Sequence, residues 1–322
     1  MAVTTHDIAE RLGLSQSTVS RILSGAPGHR AAASTRERVL AVARELGYRP
    51  NAVARSLRRG RTEVIGLYTG HDYDARNEFL GTILGGLQRA CERQRMDLML
   101  FSAYGGRSPE AMMSRLLDGR IDGLLVHANT DDPIVPHLAE TSLPVVAIAD
   151  ALPGLPAAVA DDVRGMDLLI EHLWERGYRR YRMVVPRQSL VSVARRQEAF
   201  LAAMAERPEA DGSILTVQEE DGRMVLPVIA PDTVACCWND RTAYDLLKAC
   251  REAGLRVPQE VAVAGFDGFL DEKLPARQLL TVACPWDLVA EAALDQLSRL
   301  IDGEPVDDEV RLPVRLIVGD TA

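Results

Sequence analysis

The stretch LSQSTVSRIL (residues 14–23) sets Gln16, Ser17, Ser20 and Arg21 on one polar side of a short helical pattern, with Val19, Ile22 and Leu23 on the other. The chemistry these side chains offer is hydrogen bonding, not bond making. A glutamine presents a donor and an acceptor side by side, matching an adenine edge, and an arginine presents a fork that matches guanine or a phosphate. Groups that make and break bonds are not assembled elsewhere by spacing. The six histidines are dispersed without an HExxH pair, and no Walker A or GxGxxG sequence occurs. No Ser/His/Asp set emerges. Cys91, Cys236, Cys237, Cys250 and Cys284 are odd in number and lack a CxxC, so they read as reduced, mostly buried thiols. The pattern argues against an enzyme and implies no metal and no cofactor.

The elements that must hold the polar helix face follow from its flanks. TTHD (4–7) is a capping-box start with Thr4 ahead of Asp7, Ile8, Ala9 and Leu12 recur at helical spacing, and Gly13 ends that helix. Ser15 then caps a second helix. Two short helices across a glycine turn make a helix-turn-helix, whose second helix enters the major groove by its N-terminal residues. The competing reading is an ordinary helical hairpin with a polar face. STRE (34–37) reads as a further capping box before the apolar face of Val39, Leu40, Val42, Ala43 and Leu46. Asn51 can cap a helix of about two turns, too short to be stable alone. Its Ala, Val and Leu positions suit pairing with a second copy, while Arg55, Arg58, Arg59 and Arg61 suit phosphates.

Charge separates the chain into two parts. Residues 1–62 hold 11 arginines and four carboxylates, a formal +7, and the other 260 residues hold 26 basic and 42 acidic side chains, −16. A basic head fits phosphate contact, and an acidic body discourages non-specific wrapping of DNA. The length of 322 residues suggests two or three domains. No apolar run reaches the roughly 20 residues of a membrane span, and the N-terminus lacks a secretory pattern, so a cytoplasmic, nucleoid-associated protein is expected.

Beyond residue 62, apolar runs at 64–69, 98–102, 123–127, 145–149, 181–185, 234–238 and 261–266 read as strands. Helical patterns lie between most of them, at 79–93, 109–117, 165–175, 194–205, 241–253 and 285–300. That alternation predicts an α/β class with parallel sheets covered on both faces and ligands outside the C-terminal strand ends. Asp240 is expected to cap its helix. The segment 218–232, broken by Pro227 and Pro231, is expected to carry a truncated helix.

DIAERLGLSQSTVSRIL (7–23) and STRERVLAVARELGYRPNAVARSLRRGRT (34–62) together resemble the DNA-binding head and hinge of the lactose-repressor (LacI/GalR) family. The loop 24–35 is longer than the family's usual one. The body resembles the same family's sensor, which is like a periplasmic sugar-binding protein of type I. Its landmarks include RIDGLL (120–125), WND (238–240) and VAVAGFD (261–267). The resemblance implies a helix-turn-helix domain at 1–50, a hinge and linker at 51–62 and an effector-binding and dimerisation domain at 63–322. Within that domain it implies one subdomain of about 63–160 and 288–310, a second of about 161–286 and 311–322, and three crossovers.

It further implies a homodimer on pseudo-palindromic operator DNA, acting as a repressor under control of a small effector, a sugar or sugar derivative. The DNA-contacting set is Thr4, Ser15, Gln16, Ser17, Thr18, Ser20 and Arg21, with Asn51, Ala54, Arg55, Leu57 and Arg58 in the hinge, Leu57 as a minor-groove wedge. The effector set is Tyr73, Arg76, Phe79, His127, Asp150, Ser192, Arg196, Trp238, Asn239 and Asp267. Phe79 and Trp238 either stack on the ligand or pack as core. His127 is either a contact or a solvated strand end, and Tyr73 and Arg76 either reach the ligand or decorate the rim. Arg196 offers its fork to a hydroxyl pair or a carboxylate. Asp150 lies one position past the family's usual Asp. Alternatives are a purine- or nucleoside-responsive regulator of the same architecture, or a sugar-binding protein without regulation.

Overall fold

The computed structural model describes residues 3–24, 31–49, 56, 59–70, 77–102, 108–187, 190–220, 223–225, 229–269 and 278–322. They form two compact units, Met1–Thr62 and Glu63–Ala322.

The first unit contains α1 (Thr5–Leu12), α2 (Gln16–Ser24) and α3 (Ala33–Glu45). Thr4 and Asp7 close the capping box on α1, and Gly13, at φ 64°, takes the left-handed conformation that ends it. Ile8, Ala9, Val19, Ile22, Val39 and Ala43 pack into one apolar core. The expected capping box at Ser34 is not formed. Helix α3 begins at Ala33 with Ala32 as an N-cap that makes no side-chain bond. Alanine is the strongest helix former, so the helix starts before the serine that would have capped it.

The second unit contains two six-stranded sheets. Its elements are β1 (Val64–Thr69), α4 (Glu78–Gln94), β2 (Asp97–Ser102), α5 (Pro109–Leu116), β3 (Gly123–His127), α6 (Val135–Leu138), β4 (Val145–Ala149) and β5 (Ala157–Ala160). Then come α7 (Asp162–Glu175), β6 (Arg180–Val185), α8 (Val191–Ala205), β7 (Asp211–Thr216), β8 (Gln218–Glu220), β9 (Arg223–Val225) and β10 (Thr233–Cys237). The remainder is α9 (Asp240–Glu252), β11 (Val261–Asp267), β12 (Leu280–Ala283), α10 (Trp286–Ile301), β13 (Glu309–Leu312) and β14 (Arg315–Ile317).

The sheet orders are β13-β5-β4-β3-β1-β2 and β14-β12-β11-β10-β6-β7. Every pairing within them is parallel except β12 with β14. The chain therefore passes between the sheets three times, at β5–α7, β12–α10 and β13–β14. Separate apolar clusters cover the two faces of each sheet. The α/β architecture read from the sequence is the one observed. Within 218–232, where a truncated helix is expected, the described residues 218–220 and 223–225 instead form β8 and β9, paired antiparallel, and 221–222 and 226–228 lie outside the described residues. Several strands escaped the sequence pattern, among them β5, whose AAVA run carries a single β-branched residue yet is wholly buried.

Candidate functional site: a polar helix face and an acidic cleft

In the first unit the polar residues of α2 sort by role. Ser15 Oγ accepts from the Thr18 amide at 3.2 Å and shares hydrogen bonds with the hydroxyls of Thr18 (2.8 Å) and Ser17 (3.0 Å). Thr4 is likewise engaged, its hydroxyl donating to Asp7 at 2.9 Å. Gln16, Ser17 and Arg21 are exposed, whereas Thr18 and Ser20 are half-buried. Gln16 Nε2 donates to Thr5 Oγ1 at 3.2 Å, which sets its amide beside the start of α1. Below this face the core is entirely apolar. Asn51, Ala54, Arg55, Leu57 and Arg58 lie outside the described residues, as do Tyr73 and Arg76 of the effector set.

In the second unit the remaining effector-set residues gather at the C-terminal strand ends. His127 and Asp267 are the last residues of β3 and β11, Asp150 and Trp238 follow β4 and β10 directly, Phe79 opens α4, and Ser192 and Arg196 lie in the first two turns of α8. The Phe79 ring stands 5.2 Å from His127 and 4.9 Å from Trp286, edge-on to the latter. His127 Nδ1 is 3.2 Å from the Ile148 carbonyl.

The carboxylates are largely claimed by the protein itself. Asp150 accepts from the Ser192 amide at 3.0 Å and from the Ser192 hydroxyl at 2.7 Å. Helix α8 has Leu190 at its N-cap and so no cap of its own. An aspartate carried by the other sheet supplies that function. Burial pushes the Asp150 carboxyl up to about 6, with the Ser192 bonds working against the shift.

Arg196, 3% exposed, donates from Nε to Asp162 at 2.7 Å and from Nη1 to the Trp238 carbonyl at 2.5 Å. Its guanidinium lies 3.7 Å over the Phe266 ring. Gly165 makes this stack possible, because a Cβ there would sit 2.5 Å from the Phe266 ring and push α7 away. Burial opposes the Arg196 charge, but Asp162, Cys284 and Asp267 around it prevail and hold it above the ordinary arginine value.

Asp240 does not cap α9, as the sequence had suggested. Asn239 does, accepting from the Thr242 amide at 2.8 Å. Asp240 turns inward and accepts from the amides of Gly268 (2.7 Å) and Phe269 (2.6 Å) and from the Thr281 hydroxyl (2.5 Å). It thereby clamps the turn after β11. In that turn Asp267 is held at φ 136°, a conformation L-residues rarely adopt. Burial, then the neighbouring Asp240, raises the Asp267 carboxyl well above the usual range.

Sequence reasoning missed Asp162, Phe266, Thr281 and Trp286. Asp162, Thr281 and Trp286 carry no local motif, and Phe266 lies inside VAVAGFD (261–267) without its own role being marked. Only the tertiary fold sets Asp162 against Arg196, and Trp286 against Phe79. The indole N–H groups of Trp238 and Trp286 are buried and have no hydrogen-bond partner among the described residues. No cluster of His, Cys, Asp and Glu suited to a metal occurs among the described residues.

Residues 4–51 match the model of bacterial regulatory proteins of the lacI family, and residues 170–322 match that of a periplasmic binding protein-like domain. The chain is 27% identical over 317 residues to the transcriptional regulator GalR of Escherichia coli K12, covering 95% of this chain and 91% of that protein. It is 28% identical to the lactose operon repressor of the same strain, with 98% and 89% covered. To the transcriptional repressor PurR of Escherichia coli O1:K1 it is 29% identical, with 98% and 95% covered. Among solved structures, the lac repressor dimer bound to operator and the anti-inducer ONPF superposes with a TM-score of 0.82 at 25% identity, covering 100% of this chain and 99% of that one. The regulator CelR in complex with cellobiose superposes at 0.69 and 22% identity, covering 99% and 100%.

Proposed function

The chain belongs to the lacI family of bacterial regulatory proteins, and from that premise we propose that it is a homodimeric, operator-binding repressor controlled by a sugar or sugar derivative. The DNA-facing part of the proposal rests on the exposed Gln16, Ser17 and Arg21 of α2 in a unit of formal charge +7. The effector-facing part rests on one feature of the acidic cleft. Two buried indole donors, an aromatic pair and a cluster of carboxylates meet at the C-terminal ends of the strands. A sugar brings apolar ring faces for the aromatics and hydroxyls for both the donors and the carboxylates.

Asp150 and Ser192 join the two sheets across this cleft. Their bonds form in one arrangement of the subdomains and break in another. An effector that favours one arrangement shifts the population between them, and a linked change in DNA affinity follows. The homodimer reading is supported by the similar lac repressor, whose solved structure is that of a dimer bound to operator. Two of the relatives are named as repressors.

Selection of DNA sequences on the full chain, followed by fluorescence anisotropy, tests the proposal. Arg21→Ala is expected to cost about 1–3 kcal/mol of specific binding while leaving non-specific binding nearly unchanged. Equal losses on both kinds of DNA would remove α2 from base readout. A thermal-shift panel of sugars and nucleosides identifies the effector class, since a ligand of the native state raises the melting temperature.

A further inference from the structure

Gln16 and Thr5 are the first residues of α2 and α1. Gln16 reaches from one helix to the other, its Nε2 donating to Thr5 Oγ1 at 3.2 Å. Ser17 and Thr18 bond locally instead, both to the Ser15 hydroxyl. The two helices are fixed against each other by a shared core that holds Ile8 and Ala9 of α1 with Val19 and Ile22 of α2. Thr5 lies one turn ahead of Ile8 and Ala9, and Gln16 one turn ahead of Val19, so both sit above that contact. Thr5 is half-buried and Gln16 exposed. The hydroxyl is therefore the fixed point, and the longer amide side chain is the one it orders.

A glutamine amide carries two N–H donors and one carbonyl acceptor. With one N–H given to Thr5, the second N–H and Oε1 remain. One donor with one acceptor is what an adenine edge requires, whereas a guanine edge offers two acceptors. The last torsion of a free glutamine is broad and roughly two-fold, so an untethered amide presents its oxygen and nitrogen in either order. The bond to Thr5 favours one order. In water such an exposed bond adds little, because solvent competes for both partners. Once α2 enters a groove and water leaves, the local dielectric falls and the same bond strengthens.

We propose that Thr5 is a specificity-determining residue for DNA, a positioning residue that acts through Gln16 by orienting its amide to read an A·T pair. Base preference at that pair then depends on α1 as well as on α2. The inference rests on the reading of α2 as the base-contacting helix.

The test is selection of DNA sequences by the full-length protein, then anisotropy titrations on the selected DNA and on each of its single-pair substitutions. Gln16→Ala marks the pair that Gln16 reads, which is expected to be A·T. Thr5→Val keeps the side-chain shape and removes the hydroxyl. It is expected to lower the preference for A·T at that same pair by about three- to tenfold. Preferences at the other pairs and affinity for non-specific DNA are expected to stay as they are. Thr5→Ser keeps the hydroxyl and is expected to keep the preference. In the double variant, Thr5→Val is expected to add nothing to the loss already caused by Gln16→Ala. A G·C pair under Gln16 would overturn the proposal. So would a Thr5→Val loss that is absent, spread evenly over the site, or added in full to that of Gln16→Ala, and so would a Thr5→Ser variant that behaves like Thr5→Val. Circular dichroism checks that each variant is folded, and Thr5→Ala, which also lacks the hydroxyl, gives the same readout where Thr5→Val does not fold. Failure of the full-length protein to select any sequence would overturn the reading of α2 and the proposal with it.

Discussion

In the head, Gln16, Ser17 and Arg21 face outward, and the core beneath them, from Ile8 to Ala43, contains no polar side chain. In the sensor unit, Asp150, Asp162, Arg196 and Asp240 are all buried and each is hydrogen-bonded to another element of the unit. On the proposed reading, the head separates what folds it from what touches its target, and the sensor uses one set of polar groups for both. A target such as DNA supplies its own charge and water-accessible edges, so the head can wait with solvated side chains. A small ligand must be enclosed, and groups that enclose it have to be satisfied by the protein first.

Several measurements would break or sharpen this contrast. The largest effect is expected from Arg196→Ala. Leaving Asp162 as an unpaired buried charge should destabilise the sensor by about 3–5 kcal/mol, seen as a lower urea midpoint of the sensor transition. A loss below about 1 kcal/mol would mean that the buried pair is not structural and that the two units are built alike.

Next comes pH. The Asp150 carboxyl titrates near 6 in the folded protein and near 4 in the unfolded chain. Between those values the native state holds a proton that the unfolded state has lost. Stability contributed by that proton is fully present below about pH 4 and is lost as pH rises through 6, a change on the order of 2–3 kcal/mol. Urea titrations of the sensor from pH 5 to 7.5 should show this decline, and Asp150→Asn should make it shallower, the remaining slope belonging to Asp240, whose carboxyl burial also pushes up to about 6. A rise in sensor stability across that window, or the same slope in the variant, would contradict the assignment.

Smaller effects belong to the head. Thr4→Ala removes the α1 cap and should cost about 1 kcal/mol in the head transition alone. A matching shift in the sensor transition would show that the units do not unfold separately. The smallest effect is expected from Arg11→Ala. Arg11 and Glu45 meet at 2.6 Å, but their side chains are 55% and 58% exposed. Removing that pair should change head stability by no more than about 0.5 kcal/mol, as thermal melts would show.

The contrast also explains how much was legible in advance. The helices of the head could be read from Thr4, Gly13 and the Val19/Ile22 spacing, because capping and amphipathic periodicity are local. The Ser34 cap was misread because alanines upstream extended the helix. In the sensor, β1, β3 and β4 followed from apolar runs, whereas β5 did not, since alanines mark a strand only when both faces are already covered. The candidate effector residues His127, Asp150, Ser192, Arg196, Trp238 and Asp267 follow from a family resemblance and not from their own spacing. Their partners were invisible to both. Asp240 was misjudged as a cap because position alone cannot tell which of two adjacent polar residues, Asn239 or Asp240, turns inward.

Sequence by itself determined the helix-turn-helix, the charge division at residue 62 and the α/β alternation, because each depends on residues within a few turns of one another. The tertiary structure alone decided that Asp150 caps a helix from the other sheet, that Asp162 cancels Arg196, and that Asp240 holds the turn carrying Asp267. Those pairs are separated by 42, 34 and 27 or more positions along the chain. Their partnerships arise only when strand ends converge, and at such ranges a buried charge takes whatever counter-charge or donor the packing brings to it.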